Sequence, residues 1–117
     1  MREPRKDDTV RNNTVVTYTV RPDAYAEHVR LIGEVFAQLD NERPENVDYH
    51  VMCLADGVSF VHVSSQDSAD GSSPLPALAA FKAFISGLPG RVATPPSASD
   101  ASTVGVYRGM SASSPES

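Results

Sequence analysis

The chain has 117 residues, 40% of them hydrophobic and 21% charged, with a formal net charge of −5. That is enough for one domain without disulfide or metal staples, burying roughly two-thirds of the unfolded chain's surface. The acidic balance argues against nucleic acid or an anionic membrane as main partner, and the single cysteine, Cys53, excludes an intrachain disulfide framework and a multi-thiolate zinc site. No apolar run approaches the roughly 18–20 residues of a membrane span. The charged opening MREPRKDDTVR lacks the apolar stretch of a secretory signal. The expectation is a cytoplasmic single-domain protein.

Residues 1–12 and 110–117 read as disordered tails around a folded region, residues 13–109, because neither offers apolar surface to offset its ordering entropy. Residues 13–21 are rich in β-branched and aromatic side chains and read as a strand, with Val16, Tyr18 and Val20 on one face. Pro22 and Asp23 break it, Asp23 as a candidate N-cap. A helix follows to about Glu42, its apolar stripe running through Tyr25, Val29, Ile32, Phe36 and Leu39 with Val35 beside it. Glu27, Arg30, Glu34, Gln38 and Asn41 form the opposite face, and Pro44 marks the stop.

Asp56-Gly57 between two apolar runs predicts a hairpin with a two-residue type I′ turn. That turn places Ala55 opposite Val58, Cys53 opposite Phe60, Val51 opposite His62 and Tyr49 opposite Ser64. One face then carries Val47, Tyr49, Val51, Cys53, Phe60 and His62, and the other His50, Met52, Leu54, Val61 and Val63. Residues 64–73 read as a polar loop. Ser73-Pro74 predicts the start of a second helix running to about Leu88, with Leu78, Phe81, Ile85 and Leu88 as its stripe and Phe84 at its edge. A long connection, residues 91–101, leads to a short last strand over 102–108.

The order β-α-β-β-α-β predicts an α+β, ferredoxin-like split sheet in strand order 4-1-3-2 with both helices on one face. Two helices cover one side only, while the hairpin is apolar on both. The uncovered face therefore predicts a homodimer with two sheets packed face to face.

The folded region resembles the dimeric α/β-barrel superfamily, and within it the antibiotic biosynthesis monooxygenase-like proteins. The resemblance rests on the Thr14–Arg21 strand leading into an amphipathic helix, on Tyr49-His50-Val51 with Asp56-Gly57 through Phe60-Val61-His62, on Ala80-Phe81-Lys82-Ala83-Phe84, and on Val104 to Arg108. It implies a substrate cavity between helices and sheet. Members oxidise polycyclic phenols without metal or flavin, or degrade haem, using Asn, Trp, Tyr, Arg and His. This chain has no tryptophan, so a tryptophan-dependent mechanism is absent. Asn13 stands where some members place a functional Asn, and it is equally an ordinary strand-initiating residue.

His62 is the leading catalytic candidate, with Tyr49 beside it, because a histidine of ordinary pKa near 6.5 can act as a base or bind an acidic phenol. The favoured reading is nonetheless a buried or half-buried histidine with one satisfied hydrogen bond. Phe60, Phe36 and Phe81 are the candidate walls of a mostly apolar cleft suited to a flat, weakly acidic ligand. His50 falls on the opposite face, and His28 reads as a boundary residue beside the first helix stripe. The three histidines are thus dispersed, which points to no metal, and no phosphate, flavin or nicotinamide motif is present. Cys53 reads as a small buried hydrophobe. Residues 13–117 hold six basic and twelve acidic side chains, against RNA binding by the sheet. Two functions stay open: a small-molecule-binding dimer for an aromatic or polyketide-like ligand, and a cofactor-independent monooxygenase or isomerase.

Overall fold

The computed structural model describes residues 11–67, 73–107 and 109. Residues 1–10 and 110–117 of the expected tails lie outside the described residues, as does half of the expected polar loop, 68–72. Residues 11 and 12 of the expected tail and 64–67 of the expected loop are strand instead. The elements are β1 (Arg11–Val20), α1 (Tyr25–Glu42), β2 (Val47–Cys53), β3 (Ser59–Asp67), α2 (Ala79–Gly87) and β4 (Val92–Ala101). The strands form one antiparallel sheet ordered β2-β3-β1-β4, the expected ferredoxin-like arrangement. Both helices pack on one face, where Tyr18, Val20 and Phe60 of the sheet meet Val35 of α1 and Phe84 of α2. Burial of such side chains contributes roughly 1.5–3 kcal/mol each. Among the described residues no helix is long and apolar enough to cross a membrane.

The hairpin register is as expected, with Cys53 opposite Phe60, Val51 opposite His62 and Tyr49 opposite Ser64. Its turn is different. The Leu54 N–H donates to Ser59 O, the Gly57 N–H donates to Leu54 O, and only Gly57 in the turn takes a positive φ, of 79°. A type I′ turn needs two such residues. Asp56 instead accepts bonds from the backbone N–H groups of Val58 and Ser59. This four-residue connection preserves the register because it opens the two-residue loop by one residue on each side. Cys53 is exposed at the end of β2, not buried as expected.

Each helix keeps part of its expected stripe, with Ile32, Val35 and Leu39 of α1, Phe81 of α2 and Leu88 just after it packing in or against the core, and departs from it at single positions. In α1 the most buried positions are His28 and Val35, while Tyr25 and Val29 are 40% and 41% exposed. Asp23 does not cap α1; it accepts a bond from Arg21, and a 3-10 turn over Pro22–Ala24 precedes the helix. The helix stops where Arg43 takes a left-handed conformation and its N–H donates to Leu39 O. Gln38, expected on the solvent face, accepts the Ala80 N–H and so caps α2 from the neighbouring helix.

The second helix begins at Ala79 rather than Pro74, because a 3-10 turn over Leu75–Ala77 and an extended Leu78 precede it. Phe84 replaces Ile85 at the centre of its stripe, since Phe84 is 2% exposed and Ile85 is 44% exposed. The last strand lies where a connection was expected. Serines and prolines depress strand propensity in this segment, yet pairing along β1 builds β4 from Val92 to Ala101. Between Thr17–Ser97 and Thr19–Thr94 the register shifts, so Pro95 and Pro96 face Tyr18 alone in a bulge. The expected strand residues Val104, Val106 and Tyr107 lie beyond regular structure and are 98%, 65% and 91% exposed.

Gly57 is the turn position that a side chain strains. Gly57→Ala should lower stability by about 1 kcal/mol, and Gly57→Asn by less, in urea unfolding. Equal stability of Gly57→Ala and the parent would show that the left-handed conformation is not needed.

Candidate functional site

Strand alternation sends Tyr18, Tyr49, Phe60 and His62 to the helix-covered face. Tyr18 pairs with Phe60 and Val16 pairs with His62, so Tyr18 and His62 are diagonal neighbours across β1 and β3. Their side chains meet, with Tyr18 Oη 2.5 Å from His62 Nε2. From the helix side, His28 Nε2 reaches the same hydroxyl at 2.7 Å. The other nitrogen of His62, Nδ1, lies 2.7 Å from the Tyr49 hydroxyl. The other nitrogen of His28, Nδ1, accepts the Arg91 Nε–H at 3.0 Å. A continuous chain therefore runs Arg91–His28–Tyr18–His62–Tyr49.

Four of the five members are nearly inaccessible: His28 is 0% exposed, Tyr18 4%, His62 7% and Arg91 7%. Aromatic rings fill the space around them. Phe60 stacks on Tyr18 with centroids 5.8 Å apart and lies edge-on to His28 at 4.7 Å, and Phe84 packs against both imidazoles. Arg91 folds back over the end of α2, where its second guanidinium arm donates to Phe84 O at 2.8 Å. Gly87 makes room for it, because a Cβ there would stand 2.6 Å from the guanidinium. Arg91 forms no salt bridge among the described residues. The carbonyl end of α2, the negative pole of the helix, and the Glu27 carboxylate both oppose its charge.

Burial sets the charge states. Desolvation lowers both imidazoles to about 4, with Arg91 adding to the effect at His28 and His28 adding to it at His62. Desolvation raises the Tyr18 and Tyr49 hydroxyls well above the ordinary tyrosine value; at Tyr18 the nearby Tyr49 adds to this and Arg91 opposes it. Near neutral pH the chain thus holds two neutral imidazoles, two protonated tyrosines and one cation.

The candidate residues His62 and Tyr49 are hydrogen-bonded to each other. Phe36 stacks on Tyr49 at 5.2 Å with rings 13° apart, and Phe81 meets Tyr49 edge-on at 6.4 Å. Phe60 lies deeper, 3% exposed and stacked on Tyr18. The open space is displaced from His62 toward the sheet edge. A cleft of about 510 Å³ lies between the C-terminal half of α1 and β2, lined by Phe36, Leu39, Arg43, Val47 and Tyr49 among others. Tyr49 is the one member of the buried chain that lines it.

Two members of the chain had other expected roles. His28 read as a boundary residue and Arg91 as part of a connection, so the histidines looked dispersed; the structure brings His28 and His62 to one hydroxyl. Spacing does carry a signal for His28, which falls four residues after buried Ala24 and seven before buried Val35. No group of three or more His, Cys, Asp or Glu among the described residues could hold a metal ion.

No family model matches the chain, and no curated protein does. Solved structures do. A protein from Bacteroides thetaiotaomicron, assigned as an antibiotic biosynthesis monooxygenase, superposes with a TM-score of 0.73 at 11% identity, covering 89% of this chain and 99% of that one. A protein of the same assignment from Nitrosomonas europaea gives 0.68 at 16% identity, over 81% and 91%. The protein Rv0793 from Mycobacterium tuberculosis gives 0.68 at 13% identity, over 84% and 99%. The chain has the fold of these proteins, two of them assigned as antibiotic biosynthesis monooxygenases.

The neutral buried histidines couple stability to pH. Their values of about 4 in the folded chain lie below the ordinary 6.5, so between these limits the unfolded chain binds more protons. Stability should be full above about pH 6.5 and fall toward about pH 4, each histidine contributing up to about 1.4 kcal/mol per pH unit. Urea unfolding across this range measures the slope. A flat profile there would mean that the two imidazoles are not buried as neutral groups.

Proposed function

We propose that this protein is a homodimer that binds a flat, weakly acidic aromatic or polyketide-like molecule in the cleft between α1 and β2. The observation that carries the reading is the position of Tyr49, which lines the cleft while its hydroxyl bonds His62. The recess has polar as well as apolar wall, with Asp40, Arg43, Asp48 and His50 beside the apolar residues, and about 510 Å³ is within the size of small-molecule sites. Phe36, Leu39 and Val47 supply apolar wall, and Arg43 supplies a cation. Its pairing with Asp40, at 3.7 Å and solvent-exposed, is weak enough to leave the guanidinium open to an acidic ligand.

A cofactor-independent monooxygenase or isomerase is the second reading. The neutral His62 hydrogen-bonded to Tyr49 favours it, as a pair able to move a proton at the cleft wall. The assignments of the solved proteins that share the fold point the same way.

The dimer follows from the sheet face without helices. Met52, Val61 and Thr17 form one cross-strand row, and His50, Val63 and Val15 form the next. Met52 and neighbouring Leu54 are 51% and 49% exposed in the single chain. Such a patch is apolar on the β2, β3 and β1 side, and a second copy of the same face covers it.

Titration with alizarin, a flat weakly acidic phenol, tests the site by its absorbance change. Saturable binding of one molecule per chain is expected, at least tenfold weaker in Val47→Trp, which fills the cleft. No saturable binding, or equal binding by the variant, overturns the cleft assignment.

Light scattering tests the dimer. The parent should show twice the chain mass, and Val61→Lys should dissociate it or unfold it, because a lone charge in a dry interface is strongly unfavourable. A monomeric parent, or a dimeric variant of unchanged stability, would falsify the face-to-face assembly.

A further inference from the structure

We infer that Arg91 sets the direction of every hydrogen bond in the buried chain, so that Tyr49 faces the cleft as a hydrogen-bond donor and the site selects ligands that offer an oxygen acceptor. The inference deepens the ligand-binding reading and, for the ligand class, rests on it. Arg91 is here a positioning residue, acting through His28, Tyr18 and His62.

The direction follows from what each group can do. A guanidinium donates and never accepts. His28 Nδ1 must therefore be the acceptor of the Arg91 Nε–H. A neutral imidazole has one N–H, which His28 must then carry on Nε2, the nitrogen that faces Tyr18. Tyr18 Oη accepts that hydrogen and has one of its own, and His62 Nε2 lies 2.5 Å away to take it. His62 Nε2 is thereby an acceptor, so the His62 proton sits on Nδ1 and points at the Tyr49 oxygen. The Tyr49 hydrogen is the one that has no taker within the chain.

The alternative directions leave a buried group unsatisfied. If His62 carried its proton on Nε2, the Tyr18 oxygen would face two N–H donors. The hydrogen without an acceptor would then be that of deeply buried Tyr18 instead of that of Tyr49, which is only partly buried and lines the cleft. An unmet buried polar group costs about 1–3 kcal/mol. Burial also disfavours the charged imidazole, which would otherwise donate at both nitrogens. The ligand class follows: a quinone carbonyl, a phenolate or an enolate oxygen accepts from Tyr49, whereas an amine or ammonium group finds no acceptor there.

Long-range proton–nitrogen correlation spectra of the full chain near neutral pH read both tautomers without any ligand. Signals are assigned by their loss in His28→Gln and His62→Gln, with a histidine in a short unstructured peptide as the reference for an unconstrained ring. The expected result is His28 protonated on Nε2 and His62 on Nδ1, each as a single tautomer. Either ring in the opposite tautomer, charged, or mixed as in the reference peptide overturns the proposal. In Arg91→Met the His62 ring should lose its single tautomer, and Arg91→Lys, which keeps a donor, should restore it. A His62 ring still fixed on Nδ1 in Arg91→Met assigns the order to packing and overturns the role of Arg91. Should Arg91→Met fail to fold, the parent spectrum decides.

The cleft end is tested by alizarin with Tyr49→Phe. Loss of the donor should weaken binding about tenfold while Val61-face assembly is unchanged. Equal binding by Tyr49→Phe and the parent overturns the acceptor selectivity. If alizarin does not bind the parent at all, the cleft reading fails while the tautomer result stands on its own.

Discussion

The Tyr18 hydroxyl ties three elements of the fold together, since it sits on β1 and bonds one histidine from α1 and another from β3. These are polar groups placed in the middle of a core that could have been hydrocarbon. Polar atoms there stabilise only if each finds a partner, and a half-met network is worse than an apolar core. Here the bonds follow one after another from Arg91 to Tyr49, and rings of Phe60 and Phe84 exclude water around them. The placement of α1 over the sheet is therefore specified by hydrogen-bond geometry as well as by apolar contact.

The same geometry accounts for where both helices depart from their expected stripes. A stripe through Tyr25, Val29 and Phe36 maximises hydrocarbon on the inner face, and the amino-acid pattern favours it. Bringing His28 onto Tyr18 leaves Tyr25 and Val29 partly in solvent, while Ile32 and Leu39 keep their contact with the core. On α2 Phe84 lies against both imidazoles, and Ile85 is left outward. Periodicity reads polar residues as outward-facing by default. It has no means of seeing that a histidine is worth burying when a tyrosine on another element is waiting for it.

Local features were legible for the same reason that distant ones were not. The Asp-Gly turn fixes which residues of β2 and β3 oppose each other, and alternation then places Tyr49, Phe60 and His62 on one face. The strand order follows from the sequence of elements and the handedness of their connections. The network depends instead on pairing between β1 and β3, more than forty residues apart, and on an arginine that follows α2. Neither leaves a mark in a local window. The last strand was misplaced on similar grounds: Val104, Val106 and Tyr107 have the stronger intrinsic preference, but pairing with β1 is available to the segment before them.

That segment has a consequence for how the sheet ends. β4 is an outer strand, and two consecutive prolines near its middle interrupt the row of backbone N–H groups that a neighbouring chain would use. The bulge opposite Tyr18 bends it further from the flat ladder that templates strand addition. Edges of this kind resist pairing with stray chains, a standing hazard for any open sheet. The prolines that make β4 look like a loop are thus what lets it be an outermost strand without inviting aggregation along the hydrogen-bonding direction.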